Sequence, residues 1–261
     1  MSKHMTNIIT GIAEIAEGIF RMRISSGYIS ANAKPGQFVN IKCCEGNDAL
    51  LRRPISICSV DRPGDTYDIV FQKKGGGTGM LAGKKPGDRI DVLGPLGNSF
   101  DTGARHRRIA VVGGGIGVFP LLFVLDDSRA IVRRSYLGFR TSKLVVLENE
   151  FRFRSSSLEI ATDDGSYGTK GFAPDILRRD ISVEDFDMIY ACGPEPMLRK
   201  VSQLAGEHNI ECQISLEQRM GCGFGTCLAC ACKTANGEDG WKYSHVCKDG
   251  PVFNSRSIIF D

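Results

Sequence analysis

The 261-residue sequence predicts a chain of mixed β and α/β class in three parts. An N-terminal antiparallel β-barrel comes first, a parallel-sheet α/β domain second, and a small C-terminal lobe third. Three observations predict this order. Residues 1–102 break into short apolar strands separated by Pro-Gly turns. Residues 103–211 alternate wholly apolar strands with helical stretches, the pattern of a parallel sheet. Residues 212–261 are rich in Cys and Gly and too poor in large apolar side chains to build a core alone. A segment that small usually needs a metal to fold.

In the first part, Ile19 to Ile24 alternates in polarity, and Pro35-Gly36 turns into Gln37 to Lys42. Strands follow at Ile55 to Val60, Tyr67 to Gln72 and, after Pro86-Gly87-Asp88, Arg89 to Leu93. One helix is expected over Gly77 to Gly83. In the second part, Ile109-Ala110-Val111-Val112 is an apolar strand, and an apolar helix starts at Phe119. Further strands are expected at Ser135 to Gly138, Leu158 to Thr162 and Met188 to Cys192, with a helix over Pro196 to Glu207. The basic run Arg105 to Arg108 reads as a solvated strand entry.

Composition narrows the function. A net charge of +3 is too small to argue for nucleic acid or an acidic membrane surface. No stretch approaches the ~20 apolar residues that span a bilayer. Met1 to Phe20 lacks the apolar run of a secretory signal. A cytoplasmic protein is therefore expected. Disulfides are disfavoured there, so clustered cysteines point to metal or redox chemistry.

Five of the ten cysteines lie between Cys222 and Cys247. Cys222, Cys227 and Cys230 are spaced C-x4-C-x2-C, and Cys247 stands alone downstream, which is the spacing of a plant-type [2Fe–2S] site. Two irons bridged by two sulfides need four thiolates, and Gly221, Gly223 and Gly225 permit a tight loop whose amides point at sulfur. The alternative is structural zinc, which usually takes two C-x2-C pairs. Cys232 reads as a spare thiol. Cys43, Cys44, Cys58, Cys192 and Cys212 read mainly as small buried hydrophobes.

Two further signals concern phosphate-bearing cofactors. Arg52-Arg53-Pro54-Ile55-Ser56 opens a strand, where an Arg can neutralise a pyrophosphate and a hydroxyl can reach a flavin edge. Gly75 to Gly79 is either a phosphate loop opening a helix or a flexible hairpin loop. Gly113-Gly114-Gly115-Ile116-Gly117 follows a strand and precedes a helix, the context of a dinucleotide site, although Val118 holds the last Gly place of that fingerprint. A second turn, Cys192-Gly193-Pro194, follows the last expected strand. Both turns fall at the carboxyl edge of the sheet, where such sheets bind ligands. Cys192 is there either a nicotinamide contact or a packed thiol.

The order of barrel, glycine-turn sheet and cysteine cluster resembles the ferredoxin–NADP reductase superfamily. Four segments narrow it: Leu51 to Ile57, Gly94-Pro95-Leu96-Gly97-Asn98, Ala161 to Gly171, and Cys247 to Phe253. Together they closely resemble the electron-transfer subunits of dihydroorotate dehydrogenase B, over nearly the whole chain. That resemblance implies a 1–102 FAD barrel, a 103–211 NAD domain and a 212–261 [2Fe–2S] domain. It places FAD on Arg53, Pro54, Ile55 and Ser56, on Val70, Phe71 and Gln72, and on Gly77 and Thr78. It makes Cys222, Cys227, Cys230 and Cys247 the cluster ligands. It favours NAD over NADP, although Arg140 near the end of a strand could meet a 2′-phosphate. No residue suggests itself as the acid or base of substrate dehydrogenation.

By the same resemblance, dihydroorotate is oxidised in pyrimidine biosynthesis at FMN on a separate catalytic subunit. Electrons run from there through the cluster and FAD to NAD⁺, in a heterotetramer of two copies of each chain. The competing readings are a flavin and iron–sulfur subunit of a ferredoxin:NADP or sulfide oxidoreductase, and a zinc-binding module without redox activity. Relatives of the former kind often carry Asp as first cluster ligand, where this chain has Cys222.

Overall fold

The structure is a computed structural model, and it describes residues 2–46, 48–237 and 240–260. Six antiparallel strands close the barrel: β1 (Lys3–Ala16), β2 (Ile19–Ser25), β3 (Phe38–Lys42), β4 (Arg53–Asp61), β5 (Thr66–Gln72) and β6 (Arg89–Leu96), in the order β1-β2-β5-β4-β3-β6. Two helices belong to it, α1 (Gly27–Asn32) and α2 (Gly76–Ala82). Ser26 caps α1 by accepting the amide of Ile29. The inward faces of the strands carry Met22, Ile24, Val39, Ile41, Ile57 and Ile69, all fully buried. Strand β1, which the sequence reading does not pick out, closes the barrel by pairing with β2 on one side and β6 on the other. Only Asn7 and Ile9 in it are buried, so its apolar signal is faint.

The second sheet has seven strands: β7 (Arg108–Gly114), β8 (Val132–Phe139), β9 (Ser157–Thr162), β10 (Thr169–Lys170), β11 (Met188–Cys192), β12 (Glu211–Ser215) and, from far downstream, β15 (Val252–Asn254). Their order is β10-β9-β8-β7-β11-β12-β15, parallel except for β15. The strand order reverses between β8-β7 and β11, so the ends of β7 and β11 flank a switch point. After β7 the chain makes a 3-10 turn at Gly115–Val118, and α3 (Phe119–Asp127) follows. Every residue of α3 from Phe119 to Leu125 is buried, because the helix lies between sheet and barrel. Its Phe123 packs into the barrel core, whereas Leu121 and Leu122 pack under the sheet. Helices α4 (Glu148–Arg154), α5 (Ala173–Ile181) and α6 (Glu195–Glu207) complete the domain.

The remaining lobe holds the hairpin β13 (Ala231–Ala235) and β14 (Trp241–His245) and the cysteine loop. The structure shifts one expected boundary. Glu211–Ser215 is a full strand of the large sheet, which also takes Val252–Asn254 from the C-terminal segment. The sheet therefore runs past residue 211. The sequence reading breaks there because β12 carries only Cys212 and Ile214 as buried apolar residues. The Gly94 to Asn98 segment ties the lobe to the barrel. Asn98 donates its amide to the Gly250 carbonyl and its side chain to the Asp249 carbonyl, both at 2.6 Å.

Candidate functional site: a thiol ring, an arginine-bearing strand and a cavity at the sheet edge

The cysteine loop is built from backbone. Gly223 and Gly225 adopt φ of +83° and +90°, a left-handed conformation that side chains disfavour. These turns aim amides inward. The Cys222 sulfur accepts the amides of Phe224, Thr226 and Cys227 at 3.3–3.5 Å, and the Cys227 sulfur accepts that of Cys222 at 3.3 Å. Opposite them, the Cys230 sulfur accepts the amide of Cys247 at 3.4 Å, and the Cys247 sulfur that of Gly225 at 3.1 Å. The four thiols thus stand as two pairs, Cys222 with Cys227 and Cys230 with Cys247. Among the described residues no three such ligands gather about a single ion. Two pairs of thiols fit a two-iron cluster, and the amides that reach them would supply the hydrogen bonds to sulfur that tune it.

The electrostatics differ across the ring. At Cys222 burial works toward a higher pKa, but the amides of Cys227, Phe224 and Thr226 outweigh it and bring the thiol down to about 6. Cys247, buried beside Cys230, is pushed up to about 12. Bound iron deprotonates a coordinating thiol outright and removes that asymmetry. Cys232 lies on β13 opposite Ser244 and takes no part in the ring of amide-to-sulfur bonds. Burial, with Cys230 and Asp249 nearby, raises it to about 11.

The adjacent arginines of β4 have different surroundings. Arg52 is held by the Asp91 carboxylate at 2.8 Å and by the carbonyls of Asn40 and Asp91. Among the described residues Arg53 reaches the carbonyls of Leu51 and Arg52 beside it in the chain, and its guanidinium lies against Gly77 at the start of α2. A Cβ on Gly77 would come within 2.8 Å of that guanidinium and would push it aside. A cation over a glycine-rich turn fits a pyrophosphate. The Thr78 hydroxyl is engaged locally, accepting the amides of Lys74 and Gly75 at 2.9 and 3.2 Å. It shapes the loop. Pro54 and Ser56 pair with Asn40 and Phe38 on β3 and share a face with them, whereas Ile55 is buried in the barrel. Val70 and Phe71 are also buried, Phe71 stacked on Phe20, which leaves Gln72 as the side chain of that trio that reaches open space.

That space is a cavity of about 510 Å³ at the carboxyl edge of the parallel sheet. Gly114, Gly115, Ile116 and Pro194 line it, and Ile19 and Gln72 bring the barrel to its edge. Gly113 and Gly117 act in packing. A Cβ on Gly113 would strike Val118, and one on Gly117 would strike the backbone of Cys192 and Gly193. Cys192 is buried, flanked by Gly113 and Ser215, and burial raises its thiol to about 12. Its side chain is a packed thiol here. Gly193 lets its turn press against Gly114.

Several lining residues escape the sequence reading. Asp163 follows β9, Phe172 precedes α5, and Lys200 lies on α6, ion-paired with Asp175. The turn Thr162-Asp163-Asp164-Gly165 after an apolar strand was the available signal for Asp163. Glu217 was also missed. It lines a second cavity of about 500 Å³ beyond Gly193 and Pro194, and burial raises its carboxyl against the pull of Lys74.

The model of the iron–sulfur cluster binding domain of dihydroorotate dehydrogenase B matches residues 217–259, the stretch that contains the thiol ring. The chain is 43% identical over 250 residues to a dihydroorotate dehydrogenase B (NAD(+)) electron transfer subunit of Geobacillus sp. (strain WCH70), with 94% of each chain covered. The chain belongs to this family. A subunit of the same description from Desulforamulus reducens is 38% identical over the full length of both chains. Among solved structures, an NADH-dependent reduced ferredoxin-NADP oxidoreductase studied for electron bifurcation superposes with a TM-score of 0.84 at 30% identity, covering 97% of this chain and 89% of that one. A ferredoxin NADP+ reductase from Neisseria gonorrhoeae shares the fold at a TM-score of 0.66 and 16% identity, covering 83% of this chain and 94% of that one.

As a member of the dihydroorotate dehydrogenase B electron transfer subunits, the chain is part of an oxidoreductase that uses FAD, a [2Fe–2S] cluster and NAD. It acts beside a catalytic partner subunit. No helix among the described residues is long and apolar enough to cross a membrane.

Proposed function

We propose that this chain passes electrons from the FMN of a dihydroorotate-oxidising subunit, through its own [2Fe–2S] cluster and FAD, to NAD⁺ in the cytoplasm. The observation that carries the reading is the paired thiol ring together with Arg53, whose guanidinium lies against the glycine turn at Gly77. Cys222 and Cys227 would hold one iron of the cluster, and Cys230 and Cys247 the other. Arg53, backed by Gly77, neutralises the FAD pyrophosphate, and Pro54 and Ser56 present the face on which the flavin ring lies. The Val70 to Gln72 strand would supply backbone, and Gln72 would reach the flavin from the edge of the cavity it lines. NAD enters the cavity over Gly114, Gly115, Ile116 and Pro194.

When bound, FAD exchanges hydride with nicotinamide and single electrons with a [2Fe–2S] cluster, which neither of those can do for the other. The protein's part would be to hold FAD within reach of both. Buried α3 keeps barrel and sheet rigid against each other, so that the nicotinamide cavity opens beside Ile19 and Gln72 of the barrel. The partner docks at the cluster loop. Phe224 and Leu228 there are 53% and 59% exposed, and Leu50 and Leu51 ahead of the flavin strand are 81% and 51% exposed, an apolar surface that a monomer leaves wet. Two copies of each subunit make the assembly.

Purified alone and loaded with its cofactors, the chain passes electrons from NADH to artificial dyes. It forms NADH from dihydroorotate only after the catalytic subunit is added. Dihydroorotate-dependent NADH formation by the chain alone overturns the division of labour. The second reading, a ferredoxin:NADP-type subunit, draws on the 0.84 superposition, and stable co-purification with another flavoprotein in place of a dihydroorotate dehydrogenase would favour it.

A further inference from the structure

We propose that Asn40 is a positioning residue that fastens the cluster loop to the flavin-facing strands and sets the cluster's reduction potential relative to that of the flavin. The inference rests on the proposed placement of both cofactors.

Asn40 sits in the middle of β3, a place that favours β-branched and aromatic residues. Its neighbours Val39 and Ile41 point into the barrel and are fully buried. Side chains alternate along a strand, so Asn40 points the other way, out toward the C-terminal lobe. It is nevertheless only 1% exposed, because the cysteine loop covers it. Its Nδ2 donates to the carbonyl of Cys222 at 2.8 Å, a bond between residues 182 apart in sequence.

Three surroundings make this contact specific. A Cβ on Gly223 would collide with the Asn40 side-chain amide, so the loop comes this close only because glycine follows the first cysteine. The Asn40 carbonyl accepts from Arg52, which Asp91 holds at 2.8 Å, so the backbone from which the side chain projects is braced. Pro54 of the flavin-facing strand lies directly across from Asn40 on the same face. The Oδ1 of Asn40 is buried without a hydrogen-bond partner among the described residues. An unmatched buried acceptor is destabilising. The amide is therefore poorly explained by barrel stability, and well explained by what its other end does to Cys222.

That N–H dipole directs its positive end at the peptide of the first ligand. It favours the more negative, reduced cluster, and its loss lowers the cluster potential. Only the difference in this hydrogen bond between the oxidised and the reduced cluster moves the potential, so the full worth of a neutral hydrogen bond sets an upper limit of about tenfold in how one electron divides between cluster and flavin. The tenfold limit is about 59 mV for one electron.

The test is a redox titration of the full chain carrying FAD and cluster, comparing wild type, Asn40→Leu and Asn40→Gln, with the flavin midpoint as internal reference. Asn40→Leu should lower the cluster midpoint by up to that amount and alter its electron paramagnetic resonance line shape, and Asn40→Gln should restore part of the loss. Should Asn40→Leu keep its FAD and thermal melt but fail to retain iron while Asn40→Gln retains it, the fastening role stands in its strongest form. An unchanged midpoint and line shape in a fully loaded Asn40→Leu chain overturns the proposal, as does equal iron loss from both variants. A wild-type chain without a [2Fe–2S] signal would instead overturn the placement of the cofactors.

Discussion

The cluster loop and the parallel sheet reach order by opposite means. In the sheet, Ile109, Ala110, Val111 and Val112 are fully buried, as is nearly all of α3. Burial of apolar surface at about 25 cal/mol per Å² holds that domain without help. From Gly221 to Ala229 the loop buries almost nothing, and its hydrogen bonds run from main-chain amides to four sulfurs. The sheet is a scaffold whose order comes from its own side chains. The loop is a mould whose order depends on what fills it.

The largest effect that sharpens this contrast comes from the thiols. Serine at Cys222, Cys227, Cys230 or Cys247 should abolish the iron–sulfur signal in electron paramagnetic resonance while far-ultraviolet circular dichroism barely changes. Cys232→Ser should leave the signal in place. Loss of signal from Cys232→Ser and not from Cys230→Ser would mean that the wrong thiol has been assigned.

Next in size is the converse. Phe123→Ala empties a site where α3 enters the barrel core, and should lower global stability by about 3–5 kcal/mol, read by denaturant unfolding. Cluster absorbance per folded molecule should stay as in wild type. If the cluster is lost before the protein unfolds, loop and scaffold are less independent than their packing indicates.

A smaller effect separates Arg53 from Arg52. Loss of a charge-assisted phosphate contact, about 1.5–3 kcal/mol, should make Arg53→Ala release FAD on gel filtration. Arg52→Ala breaks the bond to Asp91 and should lower thermal stability with FAD retained. Equal flavin loss from both variants would contradict the assignment.

The smallest concerns acid. Asp68 is buried, which alone would raise its pKa, but its bonds to Arg23 and Arg21 outweigh burial and hold it below the usual carboxylate range. A depressed folded pKa contributes stability above the ordinary value, near 4, and that stability is lost as pH falls through the folded value. Thermal melts should therefore drop below about pH 4 in wild type, and Asp68→Asn should flatten that limb. An unchanged acid limb would show that this network does not stabilise the barrel.

Legibility in the sequence followed the same contrast. The cysteine loop was readable because Cys222, Cys227 and Cys230 stand at C-x4-C-x2-C, a spacing that chance rarely produces, and apolar strands such as Ile109 to Val112 because burial on both faces leaves a continuous run. Strand β1 was not, since both its faces stay largely wet and its order comes from pairing with β2 and β6. Strand β15 was not, because three residues carry no periodicity. Within the nucleotide site, Gly113 and Gly117 were legible as glycines, but their task is packing against Val118 and the Cys192 turn, which only the assembled fold reveals. Asn40 gave no signal, since its partner lies 182 residues away.

The central claim, that flavin and cluster share this one chain and exchange electrons within it, is tested most directly by anaerobic titration of the purified, loaded chain with NADH, followed by optical and electron paramagnetic resonance spectra together. The account predicts that flavin absorbance bleaches and that a reduced [2Fe–2S] signal rises in the same titration without any partner. Flavin bleaching with no cluster signal at any point, in a chain shown to contain iron and sulfide, would contradict it.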